Sequence, residues 1–226
     1  MKIIAVIQSR MGSSRLPGKS LTSLAGRPMV QHVIERARAI QGLADVVLVT
    51  SSNERDRPLV ELAKSLNFSV ICGSEHDVLD RYLTVAQVYQ PDAIMRLTGD
   101  TPLLCADVCG QVLEAFQTRP VDVDYVINDT TRSGWPDGLD CECASVSAIF
   151  QAARYATSAT DREHVTPWIR RHLTEQTVMA DENWTHLKLS VDSREDLALV
   201  RQVYGHLPAG DFTWPTTLKA VKATWH

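Results

Sequence analysis

The sequence predicts an α/β fold built on one doubly wound, mostly parallel (mixed) sheet. Short runs of apolar residues, such as those at 3–7 and 46–49, alternate with segments whose apolar residues recur every three or four positions. The runs are typical of strands buried on both faces, and the intervening segments are typical of amphipathic helices. The chain has 226 residues, 44% of them hydrophobic, which is enough for one domain with a full core.

Four strands, each followed by a helix, are predicted in the first 120 residues. The strands occupy 3–7, 46–49, 68–72 and 93–97. The helices carry apolar faces formed by Val30, Val33, Ile34 and Ala37, by Leu59, Leu62, Ala63 and Leu66, by Leu79, Tyr82, Leu83 and Ala86, and by Cys109, Val112, Leu113 and Phe116. Pro58 lies in the first turn of the second helix, and Asp77 is a suitable cap for the third.

The alternation changes in the second half of the chain. Strands are predicted at 123–127 and 139–144, around a polar insert at 129–138, and again at 187–191, where the chain is expected to return to the sheet. Thr166 and Pro167 open a helix, and Ser193 and Asp196 resemble a capping box for a last helix. We therefore predict a single domain over 1–226 with a distinct subregion at about 121–185.

The long connection after the first strand carries a cluster of cations. It contains Arg10, Arg15 and Lys19, together with Gly12, Gly18, Ser13 and Ser14. About 20 structureless residues at the carboxyl end of a strand favour a ligand-binding loop, here a cradle for phosphates, over a merely solvated basic loop. A P-loop would need its first glycine at position 13, which is Ser13, so the P-loop NTPase interpretation is rejected.

Composition excludes several other classes of protein. A net charge of -4 argues against a nucleic-acid binder, and there is neither an apolar run of about 18 residues nor a signal-peptide pattern. A soluble, cytoplasmic protein without membrane insertion is expected. The cysteines lack the paired spacing of a structural zinc site and are expected to be buried free thiols: Cys72, Cys105, Cys109, Cys141 and Cys143.

Two aspartates follow predicted strands. Asp100 comes after the strand at 93–97 in a Gly-Asp-Thr-Pro turn, and Asp192 directly follows the strand at 187–191. Two carboxylates at adjacent strand ends suit Mg²⁺, which binds through one or two carboxylates plus substrate phosphates. Each aspartate is also suitably positioned to cap a helix, and for Asp192 the two interpretations are equally supported.

Five ordered motifs resemble the spore-coat polysaccharide cytidylyltransferase family, which is related to the synthetases that activate 3-deoxy-manno-octulosonate and sialic-acid-like sugars as CMP conjugates. They are the segments 7–19, 73–82, 97–102, 135–140 and 161–167. The resemblance extends from residue 1 to about 205, and the last twenty residues match no pattern that we can assign.

The resemblance implies a nucleotidyltransferase with a nucleotide-diphospho-sugar transferase (glycosyltransferase-A-like) fold that makes a CMP-sugar and pyrophosphate from CTP and a 3-deoxy-2-keto acid sugar. The nucleotide-binding part would be about 1–120, and the subregion at 121–185 would bind the sugar and support a homodimer. By similarity, Gln8 and Ser9 face the base. The nucleotide set also includes Arg10, Gly12, Ser13, Arg15, Lys19, Ser74, Thr98 and Gly99. Arg10, Lys19 and Asp100 would be catalytic, and Asp100 and Asp192 would hold Mg²⁺.

The related octulosonate enzymes have glutamine two residues before the aspartate, where this chain has Thr98. Candidates for the sugar site are Asp137, Asp140, Glu142, Arg162, Glu163 and His164. An acidic sugar requires a cation, and the planar fork of Arg162 suits a carboxylate, while His164 taken alone is more often structural. Arg81, next to Asp80, either orders its turn or reaches the nucleotide, and the structural interpretation is favoured.

Family members are commonly dimers, and Trp135 and Trp168 are candidate dimer contacts. Two alternatives remain. One is another transferase of this fold, using a different nucleotide or a sugar phosphate, or a glycosyltransferase in which Asp122 and Asp124 form the metal motif. The other is a non-catalytic nucleotide-binding relative. Strand alternation favours a solvent-facing position for the two aspartates.

Overall fold

The computed structural model describes residues 1–224. The strands are β1 (Ile3–Gln8), β2 (Ser23–Leu24), β3 (Arg27–Pro28), β4 (Asp45–Ser51), β5 (Val70–Gly73), β6 (Ala93–Thr98), β7 (Tyr125–Ile127), β8 (Glu142–Ser145) and β9 (Glu175–Thr177). The helices are α1 (Met29–Arg38), α2 (Arg57–Ser65), α3 (Val78–Tyr89), α4 (Ala106–Thr118), α5 (Thr130–Ser133), α6 (Val146–Tyr155), α7 (Ala159–His164), α8 (Pro167–His172), α9 (Arg194–Tyr204) and α10 (Trp214–Thr224).

Seven strands form one mixed sheet in the order β5-β4-β1-β6-β8-β7-β9. Strands β5, β4, β1 and β6 are mutually parallel, and β8 runs antiparallel to both β6 and β7. The chain moves from β1 outward to β4 and β5, then returns to the other side of β1 with β6. The predicted α/β class is confirmed. The topological switch point, where ligands bind in open α/β sheets, therefore lies between β1 and β6.

Helices cover both faces of the sheet. Ile3 and Ile7 pack with residues of α1, α2 and α4, whereas Ile4 and Val6 pack with residues of α3, α6 and α8. Because successive side chains of a strand point to opposite faces, an uninterrupted apolar run fills both cores at once. A third apolar cluster joins α9 and α10 to connecting segments outside the sheet, such as those that carry Leu103 and Leu139.

The predicted strand at 187–191 is wrong. Its apolar residues Leu189 and Val191 pack in the third cluster instead of in the sheet. The Leu189 amide donates to the Asp137 carbonyl (2.7 Å) and the Val191 amide donates to the Asp100 carbonyl (2.8 Å). The segment is extended, as its alternation implies, but loop carbonyls satisfy these two amides, so no strand ladder forms. The strand predicted at 139–144 is also shorter and begins only at Glu142.

Most other predicted elements are confirmed, with the caps as expected. Asp77 accepts from the Asp80 amide at the start of α3, and Ser193 and Asp196 form a capping box at the start of α9. The long connection after β1 contains a 3-10 turn at Lys19–Leu21 and the β2–β3 hairpin. Four of the five cysteines are buried, but Cys72 is exposed, contrary to expectation.

Two further outcomes concern the surface. Within residues 1–224, no helix is long and apolar enough to cross a bilayer. The expectation that Trp135 contributes to a dimer contact is wrong, because it is 4% exposed and packs edge-on against Trp214 in the third cluster.

Candidate active site

The ends of β1 and β6 meet at the switch point. Gln8 pairs with Thr98 in the parallel ladder, and the next amide, that of Gly99, donates to the Gln8 carbonyl at 2.8 Å. A β-carbon on Gly99 would lie 2.6 Å from the Ser9 hydroxyl oxygen, so only glycine lets the two strand ends approach this closely. The Ser9 hydroxyl in turn lies 2.8 Å from that of Ser20, which ties the strand end to the residue that directly follows the cation-bearing loop 10–19.

The cation loop, residues 10–19, is folded around Met11. The Met11 carbonyl accepts from the amides of Ser13 (3.0 Å) and Gly18 (3.1 Å), and the Met11 amide donates to an Asp56 carboxylate oxygen at 2.7 Å. Gly18 has φ +73°, a left-handed conformation that favours glycine. These hydrogen bonds hold the loop through its backbone, and none of them uses the side chains of Arg10, Arg15 or Lys19.

Lys19 lies between the two predicted metal ligands. Its ammonium donates to Asp100 at 2.8 Å, to Asp192 at 3.0 Å and to the Val191 carbonyl at 3.0 Å. Arg15 forms a second ion pair with Asp192 at 3.0 Å. Burial acts to raise the pKa of Asp192, but the hydrogen bond from Lys19 and the neighbouring cations outweigh it and lower that pKa below its ordinary value. Asp192 is therefore ionised at neutral pH, and it shares the Lys19 ammonium with Asp100.

Asp100 and Asp192 fit a magnesium ion that is completed by substrate. Both are hard oxygen donors, and their carboxylates lie close enough together to contact the same Lys19 ammonium. Between residues 1 and 224, no group of three or more His, Cys, Asp or Glu side chains is arranged to hold a metal. The protein would thus supply two carboxylates, and phosphates and water would supply the remaining ligands, as is usual for Mg²⁺.

A cavity of about 390 Å³ opens above the switch point. Nine of the ten predicted nucleotide residues line it: Gln8, Ser9, Arg10, Gly12, Ser13, Arg15, Lys19, Thr98 and Gly99. Asp100 and Asp192 also line it, as do Glu163 and His164 from α7, and Arg10 pairs with Glu163 at 3.0 Å across the cavity wall. We call this the first cavity.

A polar network fixes the floor of the first cavity. The side-chain oxygen of Gln8 accepts from the Tyr82 hydroxyl and from Arg96, both at 3.1 Å. Arg96 forms an ion pair with Glu142, which also accepts from the Tyr125 hydroxyl at 2.6 Å. Burial acts to lower the pKa of Arg96, but the charge and hydrogen bond of Glu142, together with Tyr82 and Tyr125, outweigh it and raise that pKa. With its oxygen engaged twice, Gln8 keeps its amide N–H groups available to a ligand.

A second cavity of about 320 Å³ adjoins the first, and they share Arg96, Thr98, Asp100 and Asp192. Three of the predicted sugar residues line it: Asp137, Asp140 and Glu142. Burial raises the pKa of both Asp137 and Asp140, even though Asp137 accepts from Ser190 and Asp140 accepts from Thr130 and Gly138. Arg170 also lines this cavity, with its guanidinium paired to Asp129 and Glu175.

Two predicted residues line neither cavity. Arg162 pairs with Asp77 and donates to the Ala153 carbonyl at 2.9 Å, so its guanidinium is occupied at the start of α3. Ser74 is exposed and its hydroxyl accepts from the Asp77 amide at 3.1 Å. The structure thus assembles most of the predicted residues but does not bring these two to the site.

Sequence reasoning missed Arg96 and Arg170 as site residues and left Arg81 as a structural residue. Arg96 and Arg81 line the first cavity, and Arg170 lines the second. Arg96 carried a usable signal, because a lone cation inside the buried apolar run of β6 requires a partner. Arg170 lies among other basic residues at the end of α8, where a charge that balances the helix dipole is expected in any case.

Comparison with known protein families gives one decisive match. A family model described as Cytidylyltransferase matches residues 4–206. The chain belongs to the cytidylyltransferase family. As a cytidylyltransferase it is a nucleotidyltransferase, and the resemblance found in the sequence motifs is confirmed.

Relatives of this cytidylyltransferase include the spore coat polysaccharide biosynthesis protein SpsF of Bacillus subtilis. The two are 30% identical over an alignment of 212 residues, and the alignment covers 89% of this chain and 86% of SpsF. A solved cytidylyltransferase from Leptospira borgpetersenii serovar Hardjo-bovis superposes with a TM-score of 0.93 at 26% identity, covering 99% of this chain and 94% of that one. CMP:2-keto-3-deoxy-manno-octonic acid synthetase, solved with CTP, has a TM-score of 0.72 at 19% identity, covering 91% and 99% of the two chains. The nucleotidyltransferase fold is therefore confirmed.

Proposed function

We propose that this protein transfers the cytidylyl group of CTP to a hydroxyl of a 3-deoxy-2-keto acid sugar and releases pyrophosphate. The observation that carries the proposal is the meeting of two cavities at Asp100 and Asp192, with cations on one side and a polar pocket on the other. A triphosphate in the first cavity and a sugar in the second would bring the α-phosphorus and the attacking hydroxyl together at that point.

The reaction is an in-line displacement. The sugar oxygen forms a bond to the α-phosphorus, the bond from that phosphorus to the β-phosphate bridging oxygen breaks, and the hydroxyl proton leaves. Catalysis consists mostly of positioning and charge neutralisation. Lys19 and Arg10 would stabilise charge on the departing pyrophosphate, and Arg15 and Ser13 would hold the triphosphate. Both arginines are ion-paired in the free protein, so binding exchanges carboxylate partners for phosphates.

We propose Mg²⁺ as the cofactor, held by Asp100 and Asp192. When bound, it supplies positive charge at the phosphates and makes the attacking hydroxyl easier to ionise.

The acidic sugar needs a cation in the second cavity. In this proposal Arg170 takes the role that sequence reasoning assigned to Arg162, because Arg170 lines the second cavity and Arg162 lines neither cavity. Asp137, Asp140 and Glu142 would accept from sugar hydroxyls, and Glu163 and His164 would border the reacting end. The spore-coat relative favours a product used in surface polysaccharide or glycan synthesis, made in the cytoplasm.

We also propose a homodimer. Phe150 and Tyr155 on α6 are exposed, and Tyr155 stacks on Trp168 with ring centroids 5.9 Å apart. A second copy would pack on these exposed aromatic side chains. Light scattering after size-exclusion chromatography gives the mass directly, and a monomer at micromolar concentration would contradict this part of the proposal.

No observation favours a glycosyltransferase. Asp122 and Asp124 line neither cavity, and Asp124 accepts from the Ser145 hydroxyl at 2.7 Å.

The test of the proposed function is pyrophosphate release with Mg²⁺, each of the four nucleoside triphosphates, and a panel of 3-deoxy-2-keto acid sugars beside neutral sugar phosphates. Release with CTP and one acid sugar is expected. Release with only a sugar 1-phosphate would refute the acceptor class, and unchanged CTP throughout would refute the activity.

A further inference from the structure

Arg81 is a buried cation that lines the first cavity. It is 2% exposed and lies on α3, and its Nε atom is buried without a hydrogen bond. Within residues 1–224, its guanidinium takes part in no ion pair, in contrast to Arg10, Arg96 and Arg162. Leaving a buried charged donor unsatisfied costs free energy. A ligand in the first cavity, which Arg81 lines, would satisfy it.

The local structure accommodates this side chain. Gly73, at the end of β5, lies against its stem: a β-carbon there would be 2.8 Å from the Arg81 Cγ. Burial is the main cause that lowers the pKa of Arg81, and the positive charge of Arg10 acts in the same direction, while Tyr82, Asp56 and Asp77 act to raise it. Packing holds Arg81 at the cavity wall, and no carboxylate among residues 1–224 lies close enough to form an ion pair with it.

The position of Arg81 indicates which part of the nucleotide it meets. The acceptor cavity lies beyond Asp100 and Asp192, and the cation loop accounts for the phosphates, so the nucleoside is left the remaining wall of the first cavity. The lining residues available to the nucleoside include Gln8 and, from α3, Val78 and Arg81. Val78 is the aliphatic residue of the lining, and it shares a helix face with Arg81 three positions later.

We propose that Arg81 reads the base and makes the enzyme prefer CTP over UTP. This inference rests on the proposed function and deepens it. Cytosine presents two adjacent acceptors, O2 and N3, to the paired N–H groups of a guanidinium, whereas uracil carries a proton on N3 and would leave one donor unpaired. Val78 gives the base an apolar surface, and the free amide N–H groups of Gln8 supply a further donor.

The experiment is calorimetric binding of CTP, UTP, CMP and UMP to the wild-type protein, Arg81→Met and Arg81→Lys. Losing a bidentate contact should weaken CTP binding by about tenfold to a hundredfold. UTP binding should change little, so the CTP to UTP affinity ratio should approach one. CMP should lose the same factor as CTP. Lysine should not rescue the ratio, because it is a point charge without the planar fork.

Two further variants separate base reading from a structural role. Gly73→Ala leaves Arg81 in place but displaces its stem, and it should lower the CTP to UTP ratio in the same direction. Arg36→Met removes another 2%-exposed arginine, on α1 outside both cavities, and should leave the ratio unchanged. The melting temperature of ligand-free Arg81→Met should be no lower than that of the wild type, because Arg81 has no ion pair within residues 1–224 to lose.

Three results would overturn the inference. If Arg81→Met weakens CTP and UTP equally and spares CMP, Arg81 binds the β- or γ-phosphate. If the variant melts early but keeps the affinity ratio, Arg81 is structural. If the wild type binds UTP as tightly as CTP, there is no preference to explain. A wild-type protein that binds none of the four nucleotides would instead refute the proposed function.

Discussion

Replacing Lys19 by alanine removes an ammonium that contacts both Asp100 and Asp192 and is only 13% exposed. With CTP bound, the loss of a positive donor at the transferred phosphates should lower kcat/KM by about 100-fold or more, which corresponds to about 3 kcal/mol. In the free protein, the loss of charge-assisted hydrogen bonds should lower the free energy of unfolding by about 1–3 kcal/mol.

The same substitution should tighten Mg²⁺ binding to the nucleotide-free protein. The Lys19 ammonium and a divalent cation compete for the same two carboxylates, so removing one competitor frees both ligands. Pyrophosphate release measures turnover, calorimetry measures the metal, and Lys64→Ala on the exposed face of α2 is the matched control. A fully active Lys19→Ala enzyme, or one that binds Mg²⁺ more weakly than the wild type, would refute the reasoning.

Three further predictions follow from the geometry. Arg170→Ala should raise the KM for the acidic sugar about tenfold or more and leave the KM for CTP unchanged, because the Arg170 charge lies in the second cavity. Arg162→Ala should change neither KM. It should lower the melting temperature, because the start of α3 loses its ion pair. Equal effects of both variants on the sugar KM would contradict this. Gly99→Ala should weaken CTP binding at least tenfold, because the new β-carbon would lie 2.6 Å from the Ser9 hydroxyl, and normal binding measured by calorimetry would argue against this close approach. The pKa of Asp192 is lowered on folding, so its ion pairs contribute stability that is present above the unfolded pKa of about 3.8 and is lost as pH falls through the folded pKa. In urea unfolding, Asp192→Asn should be less stable than the wild type at neutral pH, and this difference in unfolding free energy should disappear below about pH 4. A difference that does not change with pH would contradict the prediction.

The nucleotide half could be predicted from sequence because its signals are local. Strand β1 is recognised by its own apolar run, and the cations of the cradle follow it directly in sequence. Asp100 likewise comes two residues after the end of β6. The parallel sheet then brings them to one edge, since the carboxyl ends of parallel strands lie on the same side. Contacts between distant segments could not be predicted, such as that of Lys19 with Asp192, nor could the positions of Arg81 and Arg96 in the lining of the first cavity.

The acceptor half was harder because its partners are far apart in sequence and chemically interchangeable. Arg162 and Arg170 are both cations in the second half of the chain. The residues next to Arg162 in sequence do not indicate that it pairs with the distant Asp77. The segment 187–191 has the alternation of a strand, yet it packs on α9 and α10. Both errors arise where tertiary contacts decide between two locally acceptable outcomes.

The reversed direction of β8 has a consequence for how this enzyme can diverge. Because β8 runs against β6 and β7, its first residue, Glu142, lies at the same sheet edge where those two strands end. The connection at 128–141 must therefore cross that edge, and it carries Asp129, Asp137 and Asp140 into the second cavity, the proposed acceptor pocket. One contiguous stretch of chain supplies much of this cavity, while the residues proposed to bind the triphosphate lie elsewhere in the sequence. A graft of 128–142 from a relative would therefore be expected to exchange the acceptor and keep the nucleotide.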